Sequence, residues 1–230
     1  MNSRRSLSLT IFAVLGIAIV VRSLPGNEKP KGPERWEADI RKFEQQDRET
    51  PPTKGGILFV GSSSIRFWKL GQHFPELQPL NRGFGGSEVA DSVHFADRIV
   101  LPYEPRTIVM YAGDNDIAGG KTPEEVHHDF ERFVGIVHEN LPETKIVYIA
   151  IKPSIKRWKL VDRMRAANAL ICATCDENDR LEFVDIDTPM IGDDGEPRQE
   201  LFIEDGLHLS EEGYRLWSKL VMPHLVDSTS

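Results

Sequence analysis

Apolar positions change period repeatedly along this chain. Over residues 34–48, Trp36, Ile40 and Phe43 recur at helical spacing among charges, predicting an amphipathic helix that stops before Pro51-Pro52. Short continuous apolar runs then predict five strands, at 57–60, 78–81, 107–111, 145–151 and 182–186. Helical spacing returns between them at 88–99, 123–140 and 159–176, and a last helix over 211–226 has Ser210 as its N-cap. Strands apolar on both faces and alternating with helices predict an α/β domain, a parallel sheet covered on both sides. In such sheets ligands bind beyond the carboxyl ends of the strands, so the residues just after each strand are where chemistry is expected.

The N-terminus follows a different rule. Arg4 and Arg5 precede an uncharged apolar run over residues 7–21, which is closed by Arg22 and then by Pro25-Gly26. Fifteen residues suit the apolar region of an export signal and fall short of the roughly 18 or more expected of a membrane-spanning helix. Residues 1–23 are therefore read as a signal peptide or, if retained, as an N-terminal membrane anchor attached through residues 7–21. The protein is expected to be exported, secreted or periplasmic if the segment is cut. Residues 24–34, with three prolines and two glycines, read as a linker, and 35–230 as a single domain.

Composition narrows the partners. The 230 residues are 40% apolar and 28% charged, as in ordinary globular proteins, and the formal charge of −8 argues against nucleic acid. Cys172 and Cys175 are the only cysteines. A structural zinc site needs four ligands, and a redox pair should open a helix rather than lie late in one, so both are read as free thiols packing as small apolar groups.

Four post-strand segments carry reactive side chains. The first strand runs into Gly61-Ser62-Ser63-Ser64, where a hydroxyl at a helix N-terminus can act as a nucleophile beside outward-pointing N–H groups, or can simply cap the helix. The second ends in Asn81-Arg82-Gly83-Phe84-Gly85-Gly86-Ser87, a turn that allows close backbone approach to a ligand, with Ser87 placed to cap the next helix. It lacks the G-x-G-x-x-G order of a dinucleotide loop. After the third strand come Gly113-Asp114-Asn115-Asp116. Asn115 can donate its amide N–H to an oxyanion, while the two aspartates suit either turn formation or a divalent cation. Last, Asp205 and His208 stand three residues apart in a turn, a spacing that lets a carboxylate orient an imidazole general base. The other six histidines have no such company and are read as solvated or structural. Together the four segments supply a nucleophile, oxyanion donors, a base and its orienter.

The blocks FVGSSSIRFW, NRGFGGS, YAGDND and DGLH resemble the first, second, third and fifth blocks of the SGNH, or GDSL-type, hydrolase family. The resemblance covers about residues 55–225 and is closest to the bacterial branch similar to platelet-activating-factor acetylhydrolase subunits. Ile151-Lys152-Pro153-Ser154 and Arg157-Trp158 are also similar to that branch. It implies a three-layer α/β/α sandwich with a five-stranded parallel sheet of flavodoxin-like order. By position it implies Ser63 as nucleophile, Gly86 and Asn115 as oxyanion donors with the Ser63 N–H, and Asp205 with His208 as triad partners. The choice of Ser63 over Ser62 and Ser64 rests on this resemblance. One departure stands out: the family's Asp before the nucleophile is Ser62 here.

The activity so implied is hydrolysis of carboxylic esters, such as acetyl or other short acyl groups on a carbohydrate or lipid, with no metal or organic cofactor. Two alternatives are an inactive carbohydrate- or lipid-binding module of the same fold, and a metal-dependent phosphoesterase using Asp114, Asp116 and Asp205.

Overall fold

The computed structural model describes residues 32–226. The segment read as an export signal or anchor and most of the stretch read as a linker, residues 1–31, lie outside the described residues. Gly32–Trp36 forms a 3-10 turn that leads into helix α1 (Glu37–Glu49), so the linker reading fails for residues 32–34. The reason is Trp36, whose ring packs edge-on against Phe84 and whose indole N–H donates to Asp91.

In chain order there follow β1 (Ile57–Gly61), α2 (Ser63–Arg66), α3 (Leu70–His73), β2 (Leu80–Gly83), α4 (Val89–His94), α5 (Ala96–Ile99) and β3 (Thr107–Tyr111). The second half has α6 (Asp114–Gly119), α7 (Pro123–Asn140), β4 (Lys145–Ile149), α8 (Val161–Asp176), β5 (Leu181–Val184) and α9 (Glu211–Val221). All five strands pair in parallel in the order β2-β1-β3-β4-β5, the flavodoxin-like arrangement.

Period-two alternation makes the three layers. Leu58, Val60, Ile108, Met110, Ile146 and Tyr148 face a core shared with α1, α4, α5, α7 and α8. Their neighbours Ile57, Phe59, Val109, Tyr111, Val147 and Ile149 face the opposite core, closed by Trp68, Phe74 and the Tyr214, Trp217 and Val221 face of α9.

Element boundaries depart from the periodicity where a polar partner intervenes. The second strand is Leu80–Gly83 rather than 78–81, because Arg82 is buried against Asp47 and Tyr103 and so sits inside the sheet despite its charge. The fourth strand stops at Ile149: the N–H and C=O of Ile151 bond the Asn168 side-chain amide on α8. The fifth runs Leu181–Val184 rather than 182–186. Residues 88–99 break into α4 and α5 at Phe95, and 159–176 begins with a 3-10 turn over Ile155–Leu160 before α8. The last helix ends at Val221, ahead of a 3-10 turn containing Pro223. Ser210 caps it by accepting from the Gly213 N–H at 3.2 Å.

Gly61 ends β1 beside Tyr111 of β3. Its φ is +134°, and a Cβ there would lie 1.9 Å from the Tyr111 carbonyl oxygen. Gly61→Ala is therefore expected to lower stability by about 3 kcal/mol or more, or to abolish soluble expression, as read by chemical denaturation. A variant as stable as the parent would contradict this close approach.

Candidate active site

The β1 exit is a tight turn. The Ser62 N–H donates to the Tyr111 carbonyl at 2.9 Å, and the Ser62 carbonyl accepts from Ile65 and Arg66 at 3.1 and 3.0 Å. Ser62 and Ser64 are both 1% exposed, and the Tyr214 hydroxyl donates to the Ser64 carbonyl at 3.0 Å, tying this turn to α9. Of the three serines, Ser63 alone meets a histidine: its Oγ lies 3.0 Å from Nε2 of His208. Burial thus separates side chains that residue type could not. The Ser62 hydroxyl makes no capping bond and has no partner among the described residues.

His208 is held from its other nitrogen. Nδ1 lies 2.5 Å from Oδ2 of Asp205, whose Oδ1 accepts from the backbone N–H groups of Leu207 and His208 at 2.8 and 2.9 Å. Burial pushes the Asp205 carboxyl up, but these bonds from His208 and Leu207 outweigh it and hold the group down at about 2. An ionised Asp205 fixes the tautomer that leaves Nε2 free to accept a proton. The loop itself is pinned where Phe202 bridges Leu209, where Ile203 N–H donates to the His208 carbonyl, and where Lys156 N–H donates to the Gly206 carbonyl.

Two further turns converge here. The Phe84 N–H donates to the Gly61 carbonyl at 2.9 Å, which brings the second turn alongside the first. Gly86 adopts φ +78°, with the Trp36 ring 3.3 Å from where a Cβ would sit. Ser87 does not cap α4. Glu88 is the N-cap, its N–H bonding back to Asp91, because the Ser87 carbonyl is taken by the Asn115 amide at 2.9 Å. Asn115, the second residue of α6, uses one amide N–H on Ser87, which leaves the other. The Ser63 and Gly86 N–H groups have no acceptor among the described residues. Such a set of unpaired donors beside a hydroxyl can stabilise an oxyanion.

Beneath the site lies a charge cluster that sequence reasoning did not assign. Lys152 is 1% exposed, and its Nζ bonds Asp114 Oδ2 at 2.9 Å, the Tyr111 hydroxyl at 3.0 Å and Ser64 Oγ at 3.3 Å. Arg157 places Nη1 2.9 Å from the same Asp114 oxygen and donates from Nη2 to Asn115 Oδ1 at 2.9 Å. Burial would raise the Asp114 carboxyl, but Lys152 and Arg157 keep it below its ordinary value. The available signal was a lysine directly after an apolar strand at the sheet's functional edge, the same cue that marked the other turns.

The carboxylates of the phosphoesterase alternative are drawn apart. Asp114 is claimed by Lys152 and Arg157, Asp205 by His208, and Asp116 by Lys121 at 2.9 Å and the Val89 N–H at 3.1 Å. No three His, Cys, Asp or Glu side chains converge as metal ligands among the described residues. Cys172 and Cys175 are free thiols on α8, and burial pushes Cys175 up to about 12. Of the remaining histidines, His127 bonds Thr174 and His138 the Thr144 carbonyl, both structural contacts.

Large apolar side chains crowd the rim. Phe67, Ile155 and Ile203 are 52%, 40% and 50% exposed, and the Phe67 ring stands edge-on to the His208 imidazole at 5.3 Å. A cleft of about 520 Å³ opens between Phe67, Ile203, Leu209, Tyr214 and His208.

Known proteins resemble this chain in sequence or in fold. Chicken (Gallus gallus) platelet-activating factor acetylhydrolase IB subunit alpha2 is 24% identical over 193 residues, covering 80% of each chain. A GDSL-like lipase from Bacteroides thetaiotaomicron superposes with a TM-score of 0.71 at 19% identity, over 82% of this chain and 97% of that one. A variant of an acetyl-xylooligosaccharide esterase from Geobacillus stearmophilus gives 0.61 at 14%, over 77% and 97%. The GDSL-like lipase/acylhydrolase profile matches residues 61–216, from the turn that bears Ser63 to the helix that follows His208. By that match the chain belongs to the GDSL-like lipase/acylhydrolase family and is a carboxylic ester hydrolase.

Proposed function

We propose that the protein cleaves carboxylic esters through an acyl-enzyme on Ser63. The observation that carries this reading is the unbroken contact from Ser63 Oγ through His208 to Asp205, at 3.0 and 2.5 Å. Ser63 attacks the acyl carbon while His208 Nε2 takes its proton. The carbonyl oxygen becomes an oxyanion, received by the N–H groups of Ser63 and Gly86 and the free amide N–H of Asn115. His208 then protonates the departing alcohol, and water activated by the same imidazole hydrolyses the acyl-enzyme. These steps call on protein groups alone.

The substrate we propose is an acetyl or other short-acyl ester on a lipid or carbohydrate alcohol. The exposed Phe67, Ile155 and Ile203 around the triad favour an alcohol with an apolar portion, because those side chains gain only by leaving water.

Ser63→Ala is expected to abolish hydrolysis of a short-chain nitrophenyl ester, and a fluorophosphonate probe to label Ser63 alone. Full activity in that variant, or labelling elsewhere, removes the nucleophile assignment, and a folded protein inert to both tests is the binding-module alternative. Across acetate esters of lengthening alcohols, kcat/KM is expected to rise up to about fourfold per methylene at first. A flat series with acetylated sugars preferred would reverse the choice of alcohol.

The low Asp205 pKa has a consequence for folding. A carboxyl held at about 2 contributes stability above its unfolded value near 4, and that contribution disappears as pH falls through the folded value. Thermal melts between pH 4 and pH 2 should therefore fall more steeply for the parent protein than for Asp205→Asn. Parallel curves would show that the loop does not stabilise the carboxylate.

A further inference from the structure

Asn115 offers an amide whose two ends are chemically different and nearly identical in shape. Only one orientation serves the reaction, that with Nδ2 toward the site. In the structure Nδ2 donates to the Ser87 carbonyl and Oδ1 accepts from Arg157 Nη2, both at 2.9 Å. Rotating the amide by half a turn would set oxygen against the Ser87 carbonyl and NH₂ against the guanidinium. Each clash leaves a polar group unpaired in a partly buried place.

Ser87 alone favours the observed orientation by one hydrogen bond. Arg157 doubles that preference, and its bond is charge-assisted. A cation on Oδ1 also draws electron density from the amide nitrogen, which strengthens the remaining N–H as a donor to a developing negative charge.

The guanidinium itself is placed for this task. Its bond to Asn115 Oδ1 is its one aligned side-chain hydrogen bond among the described residues. Nη1 sits 2.9 Å from Asp114 Oδ2 but is buried without the alignment of a hydrogen bond, as is Asp114 Oδ1. Asp114 is already paired and bonded by Lys152, so Arg157 is not needed merely to neutralise it. Arg157 also departs from helical geometry inside its 3-10 turn, with φ −115° and ψ 18°.

From these contacts we infer that Arg157 is a positioning residue for ester hydrolysis, acting through Asn115 by fixing and polarising its amide. Asp114, neutralised from below by Lys152, holds the guanidinium in register. The inference rests on Asn115 being an oxyanion donor. It extends that reading to a residue that need not touch substrate.

A double-mutant cycle in the full-length protein tests it, with a nitrophenyl acetate assay and separate kcat and KM. Arg157→Ala is expected to lower kcat about 10- to 100-fold with KM within about threefold of the parent, below the roughly 10²- to 10³-fold for losing the donor itself. Asn115→Ala should lower kcat at least as much. The double variant should match Asn115→Ala to within about threefold, because Arg157 has nothing left to orient. Millimolar guanidinium should partly restore kcat in Arg157→Ala and not in the double variant.

Multiplicative losses in the cycle, or parental kcat in Arg157→Ala, would overturn the inference. If Arg157→Ala does not fold, Arg157→Lys serves in the same cycle: its ammonium keeps a cation beside Asp114 and cannot reproduce the guanidinium's geometry at Asn115. Non-additivity with Asn115→Ala is again the supporting result, and additivity the opposing one. Fluorophosphonate labelling separates the two levels. Labelled Ser63 with an additive cycle removes only the role of Arg157, whereas unlabelled Ser63 removes the mechanism beneath it.

Discussion

The parallel register at the carboxyl edge of the sheet is the constraint on which the site depends. Gly61 pairs with Gly83 on one side and with Tyr111 on the other, so β1, β2 and β3 end level. Three turns therefore leave the sheet at the same height and bring Ser63, Gly86 and Asn115 to one place, although they come from separate stretches of chain. Parallel pairing permits this because each strand points its carboxyl end the same way. A glycine at the meeting point adopts φ +134°, at which a Cβ would strike the Tyr111 carbonyl of β3.

That edge is also where the interior stops being apolar. Below it the strands are buried on both faces, and directly above it Lys152, Asp114 and Arg157 form a nearly dry ion cluster. Burying such charges is costly unless each is paired and bonded, and a hydrophobic replacement of similar volume would often be no less stable. What the cluster supplies is direction: Lys152 bonds the Ser64 hydroxyl behind the turn that bears Ser63, while Arg157 grips the amide of Asn115. Tyr214 and Trp68 add the tie from this turn to α9, on the side from which His208 approaches. Ser63, Asn115 and His208 are thus tied, directly or through neighbouring residues, to a single layer.

Much of the fold was legible because its signals are local. The α7 span coincides with the periodicity over 123–140, and β3 with the apolar run over 107–111, since both are framed by caps or charges that end the pattern cleanly. The second strand and the α4–α5 break were misread where a long-range partner overrode the pattern, Asp47 and Tyr103 for Arg82, and where the backbone turned at Phe95. The reading of Cys172 and Cys175 as free thiols needed only their number and their place late in a helix, and both are free on α8.

By itself the sequence determined the layer order and the kinds of chemistry available at each strand end: hydroxyls, a glycine turn, an amide, an Asp-x-x-His pair. Which serine faces the histidine was implied by resemblance but could not be read from residue type; its physical reason is tertiary, because Ser63 and His208 are 145 residues apart and their meeting depends on packing that buries Ser62 and Ser64. The same holds for Lys152 and Arg157. Periodicity and capping are properties of a few neighbouring residues, whereas the pairing of a buried charge is fixed by whatever distant groups the fold delivers to it.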